Sequence, residues 1–221
     1  MITGDKLLYN LDNLAKHKPI TADVFLTDLC NNKCPYCTYA RYEERLGHSM
    51  TFANFKDYAE ILLSWGVKGI ILTGGGEPTL NPDFLKICRW LEDSNIPYGV
   101  NTNFNRFYPI HPRYLKVSLD AWDESSYQAK RGVRAYEQTI SNIQKYADLG
   151  YDTRLGIQAL ITNPDDIMPF YTANKSLPVD YISFRPIEAV VGTVGRDVSR
   201  DIRLLENLSK NDSRVLINYK W

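Results

Sequence analysis

The sequence predicts an α/β fold built on a parallel sheet, and three observations carry that expectation. Six short apolar runs of strand character alternate with segments whose apolar residues recur at helical spacing, the pattern of repeated βα units. The connections are short, and several open on an Asn-Pro or Thr cap and close on Gly. A hydrophobic content of 44% against 24% charged, over 221 residues, is enough for a sizeable core, and a single α/β domain fits that length without strain.

Taken in order, Asp5 to His17 place Leu7, Leu8, Leu11 and Leu14 on one helical face, so an N-terminal amphipathic helix is expected, ended by Pro19. Ala22 to Leu29 alternate as a first strand. Thr51 reads as an N-cap to a helix carrying Phe55, Tyr58, Ala59 and Leu62, closed by Gly66, and Val67 to Thr73 form a buried strand. Asn81 and Pro82 read as cap and first turn of the next helix. Its stripe of Phe84, Ile87, Cys88 and Leu91 makes Cys88 a buried small hydrophobe. Pro97 to Thr102 give the third strand, and Phe104 to Pro112, with two prolines and no period, an irregular connection. Tyr114 to Leu119 form the fourth strand. The next periodic helix carries Tyr136, Ile140, Ile143 and Ala147 and stops at Gly150. Thr153 to Ile161 are the fifth strand, Asn163-Pro164-Asp165 start another helix, and Val179 to Phe184 are the sixth strand. Ile187 to Asp197 read as a loop, followed by a helix with Ile202, Leu205 and Leu208 and a segment, Arg214 to Trp221, that looks like a starting strand.

Lysine plus arginine equals aspartate plus glutamate, 26 each, so no global field favours nucleic acid or an anionic membrane. The first six residues lack a basic-then-apolar leader pattern, and no apolar run approaches the roughly 18 residues of a membrane span. A cytoplasmic protein with neither a membrane nor a nucleic acid as partner is expected.

The chemistry is concentrated in Cys30-Asn31-Asn32-Lys33-Cys34-Pro35-Tyr36-Cys37, which holds three of the four cysteines directly after the first strand. Clustered cysteines in a cytosolic chain favour metal binding over disulfides, and thiolates select zinc or iron-sulfur clusters. A closed site wants four protein ligands, so three leave a coordination position for something else. His48 is the residue that would complete a Cys3His zinc site instead, leaving a non-catalytic zinc-binding module. A second feature follows the second strand, Gly74-Gly75-Gly76-Glu77-Pro78. Residues without β-carbons let a ligand approach the backbone closely and permit positive φ, although a glycine run alone is also a plain tight turn. Other strand ends carry polar groups where barrels of this kind place their sites. These are Asn101-Thr102-Asn103, Ser118 and Asp120, the interior Gln158, and Arg185. Each also has a structural reading, as turn former, helix cap or core hydrogen-bond partner. Lys130-Arg131-Gly132-Val133-Arg134 offers an arginine for a carboxylate or an ordinary surface charge, and the charge-rich Tyr39 to Ser49 reads first as solvated surface.

The spacing C-x3-C-x2-C, with Tyr36 before the third cysteine and the Gly-Gly-Gly-Glu-Pro segment downstream, resembles the radical S-adenosylmethionine (SAM) superfamily, over about Leu7 to Pro186. The resemblance implies a partial (β/α)6 TIM-like barrel with an N-terminal helix and a short C-terminal helix-strand extension. It implies one core domain over 1–221, with the barrel at about 20–186 and the extension at 187–221, like the SPASM/Twitch class without its auxiliary-cluster domain. The family's [4Fe-4S] cluster would sit on Cys30, Cys34 and Cys37, with SAM chelating the remaining iron. Tyr36, Gly75, Gly76, Glu77, Asn103, Ser118, Asp120, Gln158 and Arg185 would line SAM. The implied reaction is reductive cleavage of SAM to methionine and a 5'-deoxyadenosyl radical that abstracts hydrogen from a small-molecule or peptide substrate. An electron donor such as flavodoxin or ferredoxin would feed the cluster.

Overall fold

The computed structural model describes residues 19–41, 47–186 and 199–218. The expected N-terminal helix and the Ile187 to Asp197 loop lie outside the described residues.

Seven strands form one parallel sheet in sequence order: β1 (Thr21–Phe25), β2 (Gly69–Thr73), β3 (Tyr98–Thr102), β4 (Tyr114–Ser118), β5 (Arg154–Ile161), β6 (Tyr181–Pro186) and β7 (Val215–Ile217). The helices between them are α1 (Phe52–Ser64), α2 (Phe84–Asp93), α3 (Glu124–Arg131), α4 (Tyr136–Ala147), α5 (Ile167–Asn174) and α6 (Ser199–Asn211). Each strand pairs only with its sequence neighbours, so β1 and β7 are the sheet's two edges among the described residues and the barrel is open. The C-terminal extension thus supplies a seventh strand. It pairs parallel with β6, in register Ile182↔Val215, because α6 serves as one more crossover helix.

The core lies between strands and helices. Ile70, Leu72, Val100, Leu115, Val117, Ile157, Ala159, Ile182 and Phe184 alternate along the strands and pack with Phe55, Ile87, Leu91, Ile143, Phe170 and Leu205 of the helices. Period two then sends the intervening residues to the other face. There the register sets Asn101 beside Lys116, Ser118 beside Gln158, and Gln158 beside Ser183. At the N-terminal end of that inner face, the Tyr114 and Tyr181 rings lie against Gly99 and Gly156, where an added Cβ would stand 2.2 Å from each ring.

Several boundaries differ from the sequence expectation. β1 stops at Phe25 rather than Leu29, because the chain turns to meet His48 to Met50 through Met50 N–H to Leu26 O (2.8 Å) and Asp28 N–H to His48 O (3.1 Å). Asn81 does not cap α2 directly: its Oδ1 accepts from Asp83 N–H and its Nδ2 donates to the Leu26 and Met50 carbonyls at 2.7 and 2.8 Å, and the helix begins at Phe84. β6 begins at Tyr181 rather than Val179, because the chain is still turning at Pro178, with Val179 N–H bonded to Leu177 O. Helix α3 has no counterpart in the sequence expectation. It is bounded by an Asp123 capping box with Ser126 and by Gly132 at φ 73°.

Candidate functional site

The cysteine loop leaves the C-terminal end of β1, with Cys34 buried and Cys30 and Cys37 half-buried. Its internal bonds are few: Asn32 N–H to Cys30 Sγ at 3.4 Å and Cys37 N–H to Cys34 O at 3.1 Å. The loop is shaped from outside. Asn103 Nδ2, just past β3, donates to Asn31 Oδ1 at 2.6 Å, and Asn105 Nδ2 donates to Asn32 Oδ1 at 2.8 Å. Asn105 Oδ1 in turn accepts from Tyr127 of α3 (2.8 Å) and Thr139 of α4 (3.0 Å). The C-terminus of α3 presses on the loop directly, because Arg131 O accepts from Lys33 N–H at 2.8 Å and an added Cβ at Gly132 would lie 2.4 Å from Lys33 O.

The glycine segment is strapped to the same stretch of chain. Gly76 N–H donates to Thr27 O (3.0 Å) and Glu77 N–H to Leu29 O (2.7 Å), immediately before Cys30. An added Cβ at Gly76 would sit 2.1 Å from Leu29 O, so only glycine fits. Close approach, and not left-handed backbone, is what the run provides: among the described glycines the positive φ values fall at Gly47, Gly66, Gly132 and Gly150. Gly75 faces the Tyr39 ring.

Glu77 is turned inward. Its buried Oε1 accepts from Thr79 N–H (3.2 Å), Thr79 Oγ1 (2.7 Å) and Thr102 Oγ1 (2.5 Å), and Oε2 accepts from Asn103 N–H (2.7 Å). Burial pushes this carboxyl up from its ordinary value, and the four donors oppose that shift. The carboxylate therefore acts as a strut that ties the glycine segment to the end of β3.

Asp120 is a second strut, held at φ 58°. Oδ1 accepts from Leu160 N–H (2.7 Å), while Oδ2 accepts from Tyr36 OH (2.5 Å) and pairs with Arg131 Nη2 (3.0 Å). Arg131 Nη2 also donates to the Ser118 carbonyl, and Nη1 donates to Cys34 Sγ at 3.4 Å. Burial raises the Cys34 thiol, and the nearby guanidinium draws it back. Burial and the Asp120 carboxylate raise the Tyr36 phenol. Burial disfavours the charged guanidinium of Arg131, but Asp120, Tyr36, Cys34 and Tyr127 together more than offset it and hold the group above its ordinary value.

The sequence-predicted residues thus divide. Cys30, Cys34, Cys37, Tyr36, Gly75, Gly76 and Asn103 come together around one loop, with Glu77 and Asp120 as supports behind it. Ser118 and Gln158 face each other on the inner face of β4 and β5, and Arg185 follows near the end of β6, in register with Leu160. His48 is exposed and takes part through its carbonyl, which accepts from Thr27 Oγ1 at 2.9 Å. No three His, Cys, Asp or Glu side chains among the described residues are grouped to hold a single ion, which leaves the zinc alternative without a site. Three thiols on one loop are the donor type that iron-sulfur clusters take. Buried polar atoms at this end of the sheet, Asp28 Oδ1, Asn101 Oδ1 and Arg131 Nε, have no hydrogen-bond partner among the described residues, as expected where a polar group binds.

Comparisons with known proteins give the chain a family and its fold a set of likenesses. Residues 24–171 match the family described as "Radical SAM superfamily". The "Probable GTP 3',8-cyclase" of Pyrococcus horikoshii is 28% identical over 159 residues, covering 67% of this chain and 50% of that protein. The "GTP 3',8-cyclase" of Shewanella denitrificans is 27% identical over 188 residues, covering 78% of this chain and 53% of that protein. The chain therefore spans about half the length of the curated relatives it matches. The crystal structure of Streptococcus suis SuiB bound to S-adenosylmethionine superposes with a TM-score of 0.71 at 18% identity, covering 93% of this chain and 52% of that one. Native anSMEcpe with bound AdoMet and Kp18Cys peptide gives 0.69 at 16% identity, covering 91% and 64%. These two structures share the fold.

Proposed function

This chain belongs to the radical SAM superfamily, and from that premise we propose that Cys30, Cys34 and Cys37 hold the family's [4Fe-4S] cluster beside a SAM site. When bound, the cluster and SAM supply a reductively generated 5'-deoxyadenosyl radical that takes hydrogen from a substrate. The observation that carries the assignment is the double strap, Gly76 N–H to Thr27 O and Glu77 N–H to Leu29 O, which brings the glycine segment against the start of the cysteine loop. Gly75 and Gly76 would meet the amino acid part of SAM through their main-chain carbonyls. Tyr36, Asn103, Ser118, Gln158 and Arg185 line the inner face around it, while Glu77 and Asp120 hold the loops in place.

The substrate is a polar small molecule or a peptide. Support comes from the inner face, where Thr73, Asn101 and Ser183 stand among the strand ends, and from the peptide-bound forms of SuiB and anSMEcpe. An electron donor of the flavodoxin or ferredoxin type reduces the cluster. The described residues act as one core domain, and the reduced cysteines suit the cytoplasm. No helix among the described residues is long and apolar enough to cross a membrane.

The test is anaerobic reconstitution, with iron and sulfide analysis, electron paramagnetic resonance with and without SAM, and assay of 5'-deoxyadenosine under reduction. About four irons per chain, a SAM-perturbed spectrum and released 5'-deoxyadenosine are expected. One zinc per chain and no response to SAM would overturn the proposal.

A further inference from the structure

Of the three thiols, Cys34 lies deepest, with 9% of its surface exposed, and its sulfur receives an N–H from Arg131, itself only 7% exposed. Arginine is rarely buried this far without partners for its donors. Nη2 goes to Asp120 and to the Ser118 carbonyl, and Nη1 goes to the sulfur at 3.4 Å. The guanidinium has little freedom to turn away. Its own main chain is locked by Lys33 N–H to Arg131 O, and Asp120 is locked by Leu160 N–H and Tyr36 OH. The result is a fixed ion pair with its positive end on the thiolate and its negative end behind.

We propose that Arg131 tunes the reduction potential of the cluster through Cys34, an inference that rests on Cys34 being a cluster ligand. Hydrogen bonds to ligand sulfurs and nearby charge are among the features that set such potentials. A donor on the sulfur withdraws electron density from the ligand and favours the reduced cluster. Burial strengthens the effect, because the local dielectric is low. Arg131 acts through the ligand, so it is a positioning and tuning residue and not a catalytic one. Asp120 sets the size of the effect from the far side of the pair, since its carboxylate partly cancels the guanidinium charge.

The experiment is a redox titration of the reconstituted protein without SAM, followed by electron paramagnetic resonance, on wild type, Arg131→Met, Arg131→Lys and Asp120→Asn. Iron content is measured on each sample. Arg131→Met should make reduction about tenfold less favourable, equivalent to ~59 mV lower for one electron. Arg131→Lys should recover part of that shift. Asp120→Asn removes the counter-charge but keeps an acceptor for Tyr36, so its midpoint should move in the opposite direction, to higher potential. A merely structural role moves iron content without this opposition of sign. If Arg131→Met fails to hold a cluster, the Asp120→Asn shift decides: upward supports the inference, unchanged or downward overturns it. An Arg131→Met midpoint equal to wild type, with weakened SAM binding alone, overturns the inference and leaves the proposed function standing. A wild-type chain that holds no four-iron cluster overturns both.

Discussion

Alanine at position 76 tests the strap that joins the glycine segment to the cysteine loop. Its Cβ would lie 2.1 Å from Leu29 O, 2.6 Å from Asp28 C and 2.7 Å from Leu29 C, all of them main-chain atoms at the exit of β1. No rotamer relieves contacts with backbone, so the two segments must separate by about an ångström before the methyl group fits. That separation breaks Gly76 N–H to Thr27 O and Glu77 N–H to Leu29 O. Two main-chain hydrogen bonds are worth about 0.5–1.5 kcal/mol each, and burying the orphaned groups adds to that, giving a loss of about 2–4 kcal/mol. For a domain of this size the melting temperature should fall by roughly 5–15 °C. Gly75→Ala supplies the comparison. There the Cβ meets the Tyr39 ring at 3.0 Å, and that side chain is 38% exposed and can give way, so the cost should stay within about 0.5 kcal/mol. Anaerobic thermal unfolding by circular dichroism reads both variants. Equal melting temperatures for Gly76→Ala and wild type, or equal losses in the two variants, would refute the strap.

Three further outcomes are expected. Asn105→Ala removes the donor to Asn32 Oδ1 and the acceptor of the Tyr127 hydroxyl, at about 1–3 kcal/mol, and should speed amide exchange at Lys33 relative to the core strands. Cys88→Ala should cost about 1 kcal/mol in chemical denaturation and leave iron content unchanged, because Cys88 is 1% exposed within the α2 stripe, whereas Cys37→Ala should lose the cluster. Hydrogen bonds from Arg214 hold the Asp212 carboxyl at about 2, below its ordinary 3.8. A depressed folded value gives stability that is present above 3.8 and lost as pH falls towards 2. Carboxyl-carbon resonance titration should find that value, and Asp212→Asn should flatten the dependence of stability on pH over this window.

The βα series was legible because the strands' helix-facing positions are apolar and every helix between them except α3 carries an apolar stripe, so periodicity separates them. The cysteine loop was legible from spacing. Helix α3 was not, for a physical reason: its buried side chains are Ser126, Tyr127 and Arg131, so it has no aliphatic stripe to reveal a period. Only its ends signal it, Asp123 with Ser126 at the start and Gly132 at the stop. Sequence alone leaves Arg131 as a surface charge or a carboxylate binder, since burial of an arginine depends on partners far away in the chain. The inward turn of Glu77 and Asp120 is equally hidden. A carboxylate at a strand end looks the same in sequence whether it meets a ligand or its own fold, and Thr102, Asn103, Leu160 and Arg131 decide the matter only once β3, β5 and α3 are in place.

The cysteine loop therefore takes its shape from the fold around it. Two bonds inside it cannot fix three sulfurs. What fixes them comes from separate βα units: the glycine strap after β2, the asparagines after β3, and the end of α3 after β4. Because the sheet is parallel, all three arrive at the same end of the strands, and because its strands are in sequence order, each comes from the next unit along. A three-cysteine segment cut out of this frame would keep the thiols and lose their geometry. The supports turn inward, since the carboxyl groups of Glu77 and Asp120 are engaged by the backbone, by neighbouring hydroxyls and by Arg131.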